Sequence, residues 1–435
     1  MLAINIGNDA MNTLKICRGY LPLGLIVALQ LAPLAAHDWP QWRGPQRNGV
    51  SEETGLLKEW PQGGPKLRWQ LKDIGSGYAA PVVVGERIYV LGNEGLDNEF
   101  IQALSTEDGA RLWRTGLGKV GNPDQKPNFP AARSTPTVDG ELVFALGSDG
   151  DLACVAASSG EVQWRKNLRT DFGGKPGDWA YSESPLIDGD LLVCTPGGFE
   201  ATLVGLNKRT GETIWKTALP EGDEAAYASA ISVNAAGRKQ YVQMLQKGLV
   251  GLDAQSGKLL WRYDQTISKF NANIPTPIAH DGTVYSAGAG TGGGVVRIES
   301  KDGSITAEPG YFSPKMPTSI GGAVLVGEYL YGTSGQAMLC VEFATGNVKW
   351  EERALGAGSL IYADDRVYLH AESGEVGLVD ASPEGYVERG RFRPPDAPGR
   401  AGPMEKAWAY PVLAEGRLYV RDHGSLWCYD VRAGQ

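Results

Sequence analysis

The chain has 435 residues, and its 59 glycines, 26 prolines and 12 tryptophans are typical of many short strands joined by turns rather than of a helical protein. Its formal net charge of −9 provides no basic surface that could neutralise phosphates, so we expect no nucleic-acid partner. A chain of this length can still form one domain if it is built from repeats.

The N-terminus has the pattern of a secretion signal. Lys15 and Arg18 precede an apolar run over 21–34, and two alanines follow the run. The run is shorter than the ~20 apolar residues that cross a bilayer, so we expect no membrane span. We therefore predict a signal peptide over 1–36, a mature chain over 37–435 and a periplasmic or secreted location.

One pattern recurs from Tyr78 to the C-terminus. Three strands separated by turns are followed by a glycine and, four residues later, by a tryptophan. The clearest copies lie at 103–113, 154–164, 205–215, 251–261 and 340–350. The repeat glycines are roughly 43 to 51 residues apart, which is about the length of a four-stranded propeller blade. We count eight units, which begin near Ala79, Ser134, Ser184, Ser229, Thr276, Gly321, Ser359 and Tyr410.

The eighth unit stops one strand short, within 425–435. The sequence PKLRW at 65–69 matches GKLLW at 257–261 in spacing and type. An N-terminal strand that completes the last blade would close the ring and remove the exposed edges of an open array. We therefore predict an all-β fold: a single-domain, eight-bladed β-propeller of four-stranded antiparallel blades, with 65–69 as the closing strand.

The repeated tryptophans are predicted to dock each blade on its neighbour. An indole buries a large flat face, and its N–H needs an acceptor such as a backbone carbonyl. The pattern fades at 297–307, where Ala307 replaces the tryptophan, and at 378–390, which contains none. We expect those two blades to form the weaker joints. The docking residues are Trp69, Trp113, Trp164, Trp215, Trp261 and Trp350.

The repeat motif, Ala/Gly-x-Asp/Asn-x-x-Thr/Ser-Gly-x-x-x-Trp, is seen in GLNKRTGETIW (205–215) and GLDAQSGKLLW (251–261). It resembles the tryptophan-docking motif of the pyrroloquinoline-quinone (PQQ)-like, quinoprotein alcohol dehydrogenase-like β-propeller repeat family. WPQWRGPQRNGVSEE (39–53) resembles the lead-in of a group of secreted PQQ-like repeat proteins. The resemblance covers nearly all of the chain after residue 60. It implies the fold and leaves the chemistry open.

Two roles found in this superfamily, that of a quinoprotein dehydrogenase and that of an assembly lipoprotein, are disfavoured because this chain departs from the patterns of those proteins. Quinoprotein dehydrogenases carry adjacent cysteines, and some carry a Cys-x-x-Cys-His haem segment; this chain has neither. We also find no Glu, Asn and Asp set that would hold Ca²⁺, although Asp178, Glu183 and Asp264 lie near the predicted channel mouth. The family's assembly lipoprotein needs a cysteine at the end of the apolar run, whereas Cys17 precedes it.

The cysteines and histidines show no metal-ligand spacing, so we predict no metal site. Cys154, Cys340 and Cys428 each lie six residues before a repeat glycine, which indicates packing between sheets. Cys194 lies one blade from Cys154, and only this pair could form a disulfide. The histidines are predicted to lie at the surface or in turns: His37, His280, His370 and His423.

The segments that cross between blades are rich in aromatic residues just before each inner strand. Propellers commonly bind ligands where such crossings converge over the channel. We predict that eight of these residues form a ring able to hold a flat or sugar-like ligand, or a peptide; the alternative is that several only pack the loops. They are Tyr78, Arg133, Trp179, Tyr181, Tyr227, Asn273, Trp408 and Tyr410.

The preferred interpretation is a monomeric, non-catalytic binding or scaffold module of the cell envelope, with a protein or glycan partner at its loop face. It assigns no catalytic residue and no cofactor. One alternative is an oxidoreductase acting on an alcohol or sugar with PQQ and Ca²⁺. The other is a factor that assists outer-membrane protein assembly.

Overall fold

The computed structural model of the chain describes residues 37–125, 129–220, 222–400 and 405–434. The predicted signal peptide lies outside these residues. The described part belongs to a compact unit, Ala36–Gln435. Its strands form eight four-stranded antiparallel sheets, and the first strands of neighbouring sheets contact one another around a central channel. The predicted eight-bladed propeller is confirmed.

Seven blades follow chain order from the inner to the outer strand. Blade one comprises Val82–Val84, Arg87–Glu94, Asn98–Ser105 and Arg111–Gly118, and blade two comprises Thr137–Asp139, Leu142–Leu146, Asp151–Ala156 and Val162–Asn167. Blade three comprises Leu186–Asp188, Leu191–Cys194, Leu203–Asn207 and Thr213–Thr217, and blade four comprises Ile231–Ala235, Arg238–Leu245, Gly248–Asp253 and Leu259–Tyr263. Blades five to seven comprise Ile278–His280, Thr283–Gly288, Gly292–Lys301 and Ser304–Ser313; Ala323–Val326, Tyr329–Ser334, Ala337–Glu342 and Val348–Glu352; Gly358–Ala363, Arg366–Ala371, Val376–Asp380 and Glu388–Phe392. A short helix, Leu168–Phe172, follows blade two.

Blade eight joins the two ends of the propeller. Its strands Val412–Ala414, Arg417–Asp422 and Ser425–Asp430 are completed by Lys66–Leu71, which pairs antiparallel with the third of them. The closing strand predicted at 65–69 is thus observed one to two residues further along the chain. Its outer position leaves no unpaired strand between the first and last blades.

Four of the six repeat tryptophans hydrogen-bond to the following blade. The indole N–H groups of Trp69, Trp113, Trp164 and Trp350 each donate to a carbonyl of the following blade, three residues before its repeat glycine. The glycine is required because a Cβ on Gly160 would lie 2.5 Å from the Trp113 ring. The other two tryptophans are buried with different indole environments: Trp261 donates to Gln240 Oε1 at 2.7 Å, and Trp215 Nε1 has no partner among the described residues.

The two joints without a motif tryptophan are filled by other aromatic rings. In blade five, the Tyr311 ring packs where a Cβ on Gly346 would lie 2.6 Å from it. In blade seven, the Phe392 ring packs in the same way on Gly64, and Trp60 lies 5.0 Å from Phe392. The sequence pattern missed these rings because they lie off the motif position. The weakness expected at these joints stays a prediction.

The N-terminal segment 39–53, which we call the plug, bonds to every blade. Most of these bonds join plug backbone or guanidinium groups to backbone groups at or next to an inner strand. A segment that bonds to all eight inner edges must occupy the central channel. Its partners in blades one to eight are Val83, Val138, Ser184, Ala230, Thr276, Ala323, Tyr362 and Gly416.

Arg47 shows how tightly the plug is held. Its buried guanidinium donates to Ala230 O at 3.0 Å, Pro185 O at 3.1 Å and Ser184 O at 2.9 Å, and also to Gln41 of the plug. Burial lowers the pKa of Arg47 to about 10, so it remains charged at neutral pH. One plug side chain therefore joins blades three and four from inside the channel.

Candidate functional site

A cavity of about 270 Å³, which we call the cup, lies where the inter-blade crossings converge. Most of its lining comes from the residues just before the inner strands, and one residue, Trp42, comes from the plug. Seven of the twelve lining side chains are aromatic. They are Trp42, Tyr78, Phe129, Arg133, Trp179, Ser182, Tyr227, Ala272, Ile274, Ile320, Trp408 and Tyr410.

The structure brings six of the eight predicted ring residues together in the cup, and Tyr181 and Asn273 lie elsewhere. Tyr181 is buried between blades two and three, and its hydroxyl donates to Pro196 O at 2.7 Å. The Asn273 amide donates to Leu245 O at 2.8 Å and accepts from Ser268 N at 2.7 Å. Asn273 therefore holds the loop that carries Ala272 and Ile274 rather than lining the cavity.

The aromatic rings of the cup meet edge to face or at a tilt. The ring centroids of Tyr78 and Trp408 are 5.0 Å apart, and those of Trp42 and Tyr410 are 4.6 Å apart. Trp179 lies 5.9 Å from Tyr227, whose hydroxyl accepts from the Trp179 backbone N–H at 3.0 Å. No pair among these is stacked face to face, and the rings that line the cup border the cavity at varied angles.

A series of hydroxyl groups fixes the crossings relative to one another. The backbone N–H of Thr135 donates to Ser184 Oγ at 3.0 Å, that of Ser184 to Ser229 Oγ at 2.9 Å, and that of Ser229 to Thr276 Oγ1 at 3.4 Å. Trp42 Nε1 donates to the same Thr276 oxygen at 3.0 Å. The Ser or Thr at the start of five of the eight predicted units was the sequence signal for this arrangement. Trp42 itself was not predicted as a lining residue.

Among the described residues that line the cup, Arg133 is the one cationic side chain. Its guanidinium lies 5.6 Å from the centre of the Tyr78 ring and donates to the Phe129 carbonyl. No described carboxylate lies within ion-pair distance of it. Burial lowers the pKa of Arg133 and raises that of Tyr227 to about 12. The cup is therefore aromatic and positively charged.

The acidic residues predicted near the channel mouth do not line the cup. Glu183 is buried and accepts hydrogen bonds from Thr195 N and from Gln243 Nε2. Asp178 accepts from Asn271 Nδ2 at 3.2 Å. Ca²⁺ takes about six to eight oxygen ligands, mostly from carboxylates and carbonyls. The lining residues therefore do not fit a quinone held with Ca²⁺.

The remaining candidate groups are structural. Cys154, Cys194, Cys340 and Cys428 are buried and unpaired, and burial raises the pKa of Cys154 to about 12. The prediction of surface or turn histidines is wrong for His370, which is fully buried in the second strand of blade seven with Nδ1 3.0 Å from a backbone carbonyl. Within 37–125, 129–220, 222–400 and 405–434, no three His, Cys, Asp or Glu side chains are grouped to hold a metal. No described helix is long and apolar enough to cross a membrane.

The comparisons with known proteins point to one group of propellers. The model of a family described as outer membrane protein assembly factor BamB matches residues 50–198 and 182–383. Outer membrane protein assembly factor BamB of Burkholderia pseudomallei is 29% identical over 217 residues, which cover 42% of this chain and 54% of that protein. Quinoprotein alcohol dehydrogenase PedH of Pseudomonas putida is 24% identical over 249 residues, which cover 56% of this chain and 38% of that protein. The chain thus spans about half or less of the length of these curated relatives.

A solved structure supports the fold. The crystal structure of BamB from Moraxella catarrhalis matches with a TM-score of 0.60 and 13% sequence identity, over 87% of this chain and 99% of that one. At this identity the likeness concerns the propeller architecture alone.

Proposed function

We propose that this chain, which belongs to the PQQ-like repeat propeller family described as outer membrane protein assembly factor BamB, is a non-catalytic binding module of the cell envelope. Its binding surface would be the loop face, with the cup at the centre. The observation that carries the proposal is the cup itself: seven aromatic side chains and one unpaired arginine around about 270 Å³. Aromatic residues and arginine dominate the energetics of binding surfaces.

The side chains of the cup favour binding over proton transfer. General acid–base catalysis needs a titratable group within hydrogen-bond reach of the substrate, with a pKa near the working pH. Tyr227 is held neutral by its raised pKa, and Arg133 remains a cation. Glu183, whose pKa burial raises to about 7, is turned toward Thr195 and Gln243.

Two exposed aromatic residues outside the cup, Phe270 and Phe199, support a protein partner. Phe270 is 65% exposed on the crossing that also carries Ala272 and Ile274. Phe199 is 63% exposed, and its ring lies 5.2 Å from Lys175 Nζ on another crossing. Large apolar side chains left in water beside a pocket are typical of interaction surfaces. A glycan partner remains the second candidate because aromatic rings also stack on sugars.

Photo-crosslinking in cells tests this proposal. A photo-crosslinking amino acid in place of Phe270 would probe the loop face, and one in place of Leu112, which is 48% exposed on the outer strand of blade one, would be the matched control. We expect defined crosslinked products from position 270 and none of them from position 112. Equal patterns from both positions, or no product from position 270, would contradict a loop-face binding module.

Two more specific roles follow from the relatives. The assembly factors among them favour a partner that takes part in outer-membrane protein assembly, and the predicted signal peptide favours a periplasmic location. The dehydrogenase relative favours oxidation of an alcohol or sugar. Titration of residues 37–435 with PQQ and Ca²⁺, followed by tryptophan fluorescence and dye-linked alcohol oxidation, separates the two. We expect no saturable binding at tens of micromolar, whereas binding with turnover would overturn the non-catalytic role.

A further inference from the structure

We infer that the cup binds an aromatic monocarboxylate, with its ring against Trp42 and its carboxylate on Arg133. This inference rests on the proposed function and names the ligand class of the same site. The ligand has one or two rings, either as a free acid or as the carboxyl-terminal residue of a peptide. Both sources present the same chemistry to the cup.

Arg133 carries a positive charge that no described carboxylate pairs. Arg133 is half-buried, and a guanidinium partly removed from water is stabilised by an anion or by further hydrogen bonds. The described residues offer Arg133 one hydrogen bond, to Phe129 O, and the face of Tyr78. Glu99 is the carboxylate whose charge acts on Arg133, but it forms no ion pair with it; its Oε2 atom accepts from the backbone N–H and hydroxyl of Ser148 at 2.9 and 2.6 Å. The anion that pairs with Arg133 must therefore come with the ligand.

The geometry of the Arg133 guanidinium indicates which anion it can bind. A guanidinium presents a planar fork of donors that a carboxylate matches with two parallel hydrogen bonds. One Arg133 nitrogen, Nη2, is engaged by Phe129 O, and the other donors of the guanidinium carry no hydrogen bond within the described residues. They can receive one carboxylate. The one cation among the described lining residues favours a ligand with one negative charge.

The size and polarity of the cup indicate what kind of group accompanies the carboxylate. A cavity of about 270 Å³ lies at the small end of ligand pockets, which span roughly 300 to 1,000 Å³, so it suits one or two rings. Beyond Arg133, the described lining offers the Ser182 hydroxyl, the tyrosine hydroxyls and the indole N–H groups of its tryptophans. The indoles of Trp42 and Trp408 already donate to Thr276 and Glu372. The Tyr410 hydroxyl already donates to Ile320 O, and that of Tyr227 accepts from Trp179 N. Too few donors and acceptors remain for the hydroxyls of a sugar.

The plug contributes Trp42 to the binding site. The Trp42 indole is fixed by its bond to Thr276 and by its edge contact with the Tyr410 ring. It closes the cup from the channel side, so a ligand must enter from the loop face. Trp42 therefore sets the depth of the site, and the lead-in sequence supplies a ligand-binding residue as well as a structural one.

The test compares matched probes by tryptophan fluorescence and calorimetry on residues 37–435. Indole-3-acetate and its neutral analogue indole-3-acetamide differ only in charge. We expect the acid to bind at least about tenfold more tightly than the amide, as a charge-assisted hydrogen bond implies. Arg133→Gln should remove this preference. Lys269→Gln, which changes an exposed cation on the same face outside the cup, should leave the preference unchanged.

Two further arms identify the source and locate the site. A short peptide ending in tryptophan is compared with its carboxyl-terminal amide: a peptide preference of the same size assigns the ligand to a chain terminus, and its absence assigns it to a free acid. Trp42→Ala should weaken both acids, and circular dichroism verifies that each variant is folded.

The outcomes separate this inference from the function on which it rests. Equal binding of acid and amide, an unchanged preference in Arg133→Gln, or no binding of any acid overturns the aromatic carboxylate. In each of these cases, crosslinking from position 270 would still support a loop-face binding module. Loss of that crosslinking alone would overturn the module.

Discussion

The indole N–H of Trp42 donates to the hydroxyl of Thr276 at 3.0 Å, across 234 residues of sequence. The bond joins the plug to blade five and places an aromatic ring at the base of the cup. Thr276 Oγ1 also accepts from the Ser229 backbone, so one hydroxyl connects the plug with the series that aligns the crossings. The same hydroxyl therefore holds the plug and helps to shape the cup.

Thr276→Val tests this connection. The change keeps the shape of the side chain but leaves the N–H groups of Trp42 and Ser229 without their acceptor, so we expect a loss of about 1 to 3 kcal/mol in the free energy of unfolding. Urea denaturation measures it. Thr213→Val, at an exposed position of an outer strand, serves as the control and should change stability by less than about 0.5 kcal/mol. A loss no larger than that of the control would show that the bond adds nothing to stability.

A second prediction concerns blade docking. Gly160→Ala would place a Cβ 2.5 Å from the Trp113 ring, whereas Gly140→Ala would meet nothing within 4 Å. Both glycines have positive φ, 75° and 58°, so backbone strain of about 1 kcal/mol is common to the two variants. We expect Gly160→Ala to destabilise the protein by at least about 1 kcal/mol more, as overpacking does. Equal midpoints of denaturation in the two variants would contradict the docking role of Gly160.

The propeller could be predicted from the sequence because its determinants are local. Five repeat glycines stand four residues before a tryptophan, and this spacing, repeated along the chain, indicates the blades. The cup depends on details that spacing does not carry. Ala180 has a φ of 74°, which reverses the chain between Trp179 and Tyr181, so that one ring enters the cup and the other packs between blades. The plug has no periodicity, and the position of Trp42 is set by partners far along the chain.

The different positions of Tyr181 and Trp408 give a third prediction. Tyr181→Phe removes the bond to Pro196 O and should lower stability by about 1 kcal/mol without changing binding at the cup. Trp408→Ala should instead weaken binding of indole-3-acetate, because the Trp408 ring lines the cavity. Thermal unfolding and fluorescence titration of both variants separate the two effects. Weaker binding in Tyr181→Phe than in Trp408→Ala would contradict this assignment.

A fourth prediction concerns pH. Burial raises the pKa of Glu183 from its ordinary 4.5 to about 7, although the bonds from Thr195 and the charge of Arg47 lower it. The folded-state pKa lies above the unfolded one, so this contribution to stability is complete below about pH 4.5 and is lost as the pH rises through 7. A shift of this size corresponds to about 3 kcal/mol.

Urea denaturation at pH 5 and pH 8 measures this contribution of Glu183 to the free energy of unfolding. Glu183→Gln should reduce the difference in unfolding free energy between the two values, whereas Glu107→Gln, at an exposed turn, should leave it as in the wild type. If Glu183→Gln retains the full difference, Glu183 does not titrate with the raised pKa.

The most direct test of the account measures crosslinking from position 270 in two backgrounds, one with the cup intact and one in which Trp179 and Trp408 are both changed to Ala. Both variants keep the photo-crosslinking group at the same exposed site, so the group's own reactivity is constant. We expect the amount of the defined crosslinked products to fall at least about tenfold when the two rings are removed, since such anchors carry most of the energy of a binding surface. Unchanged products in a folded double variant would show that the partner binds elsewhere and that the cup is not the functional site.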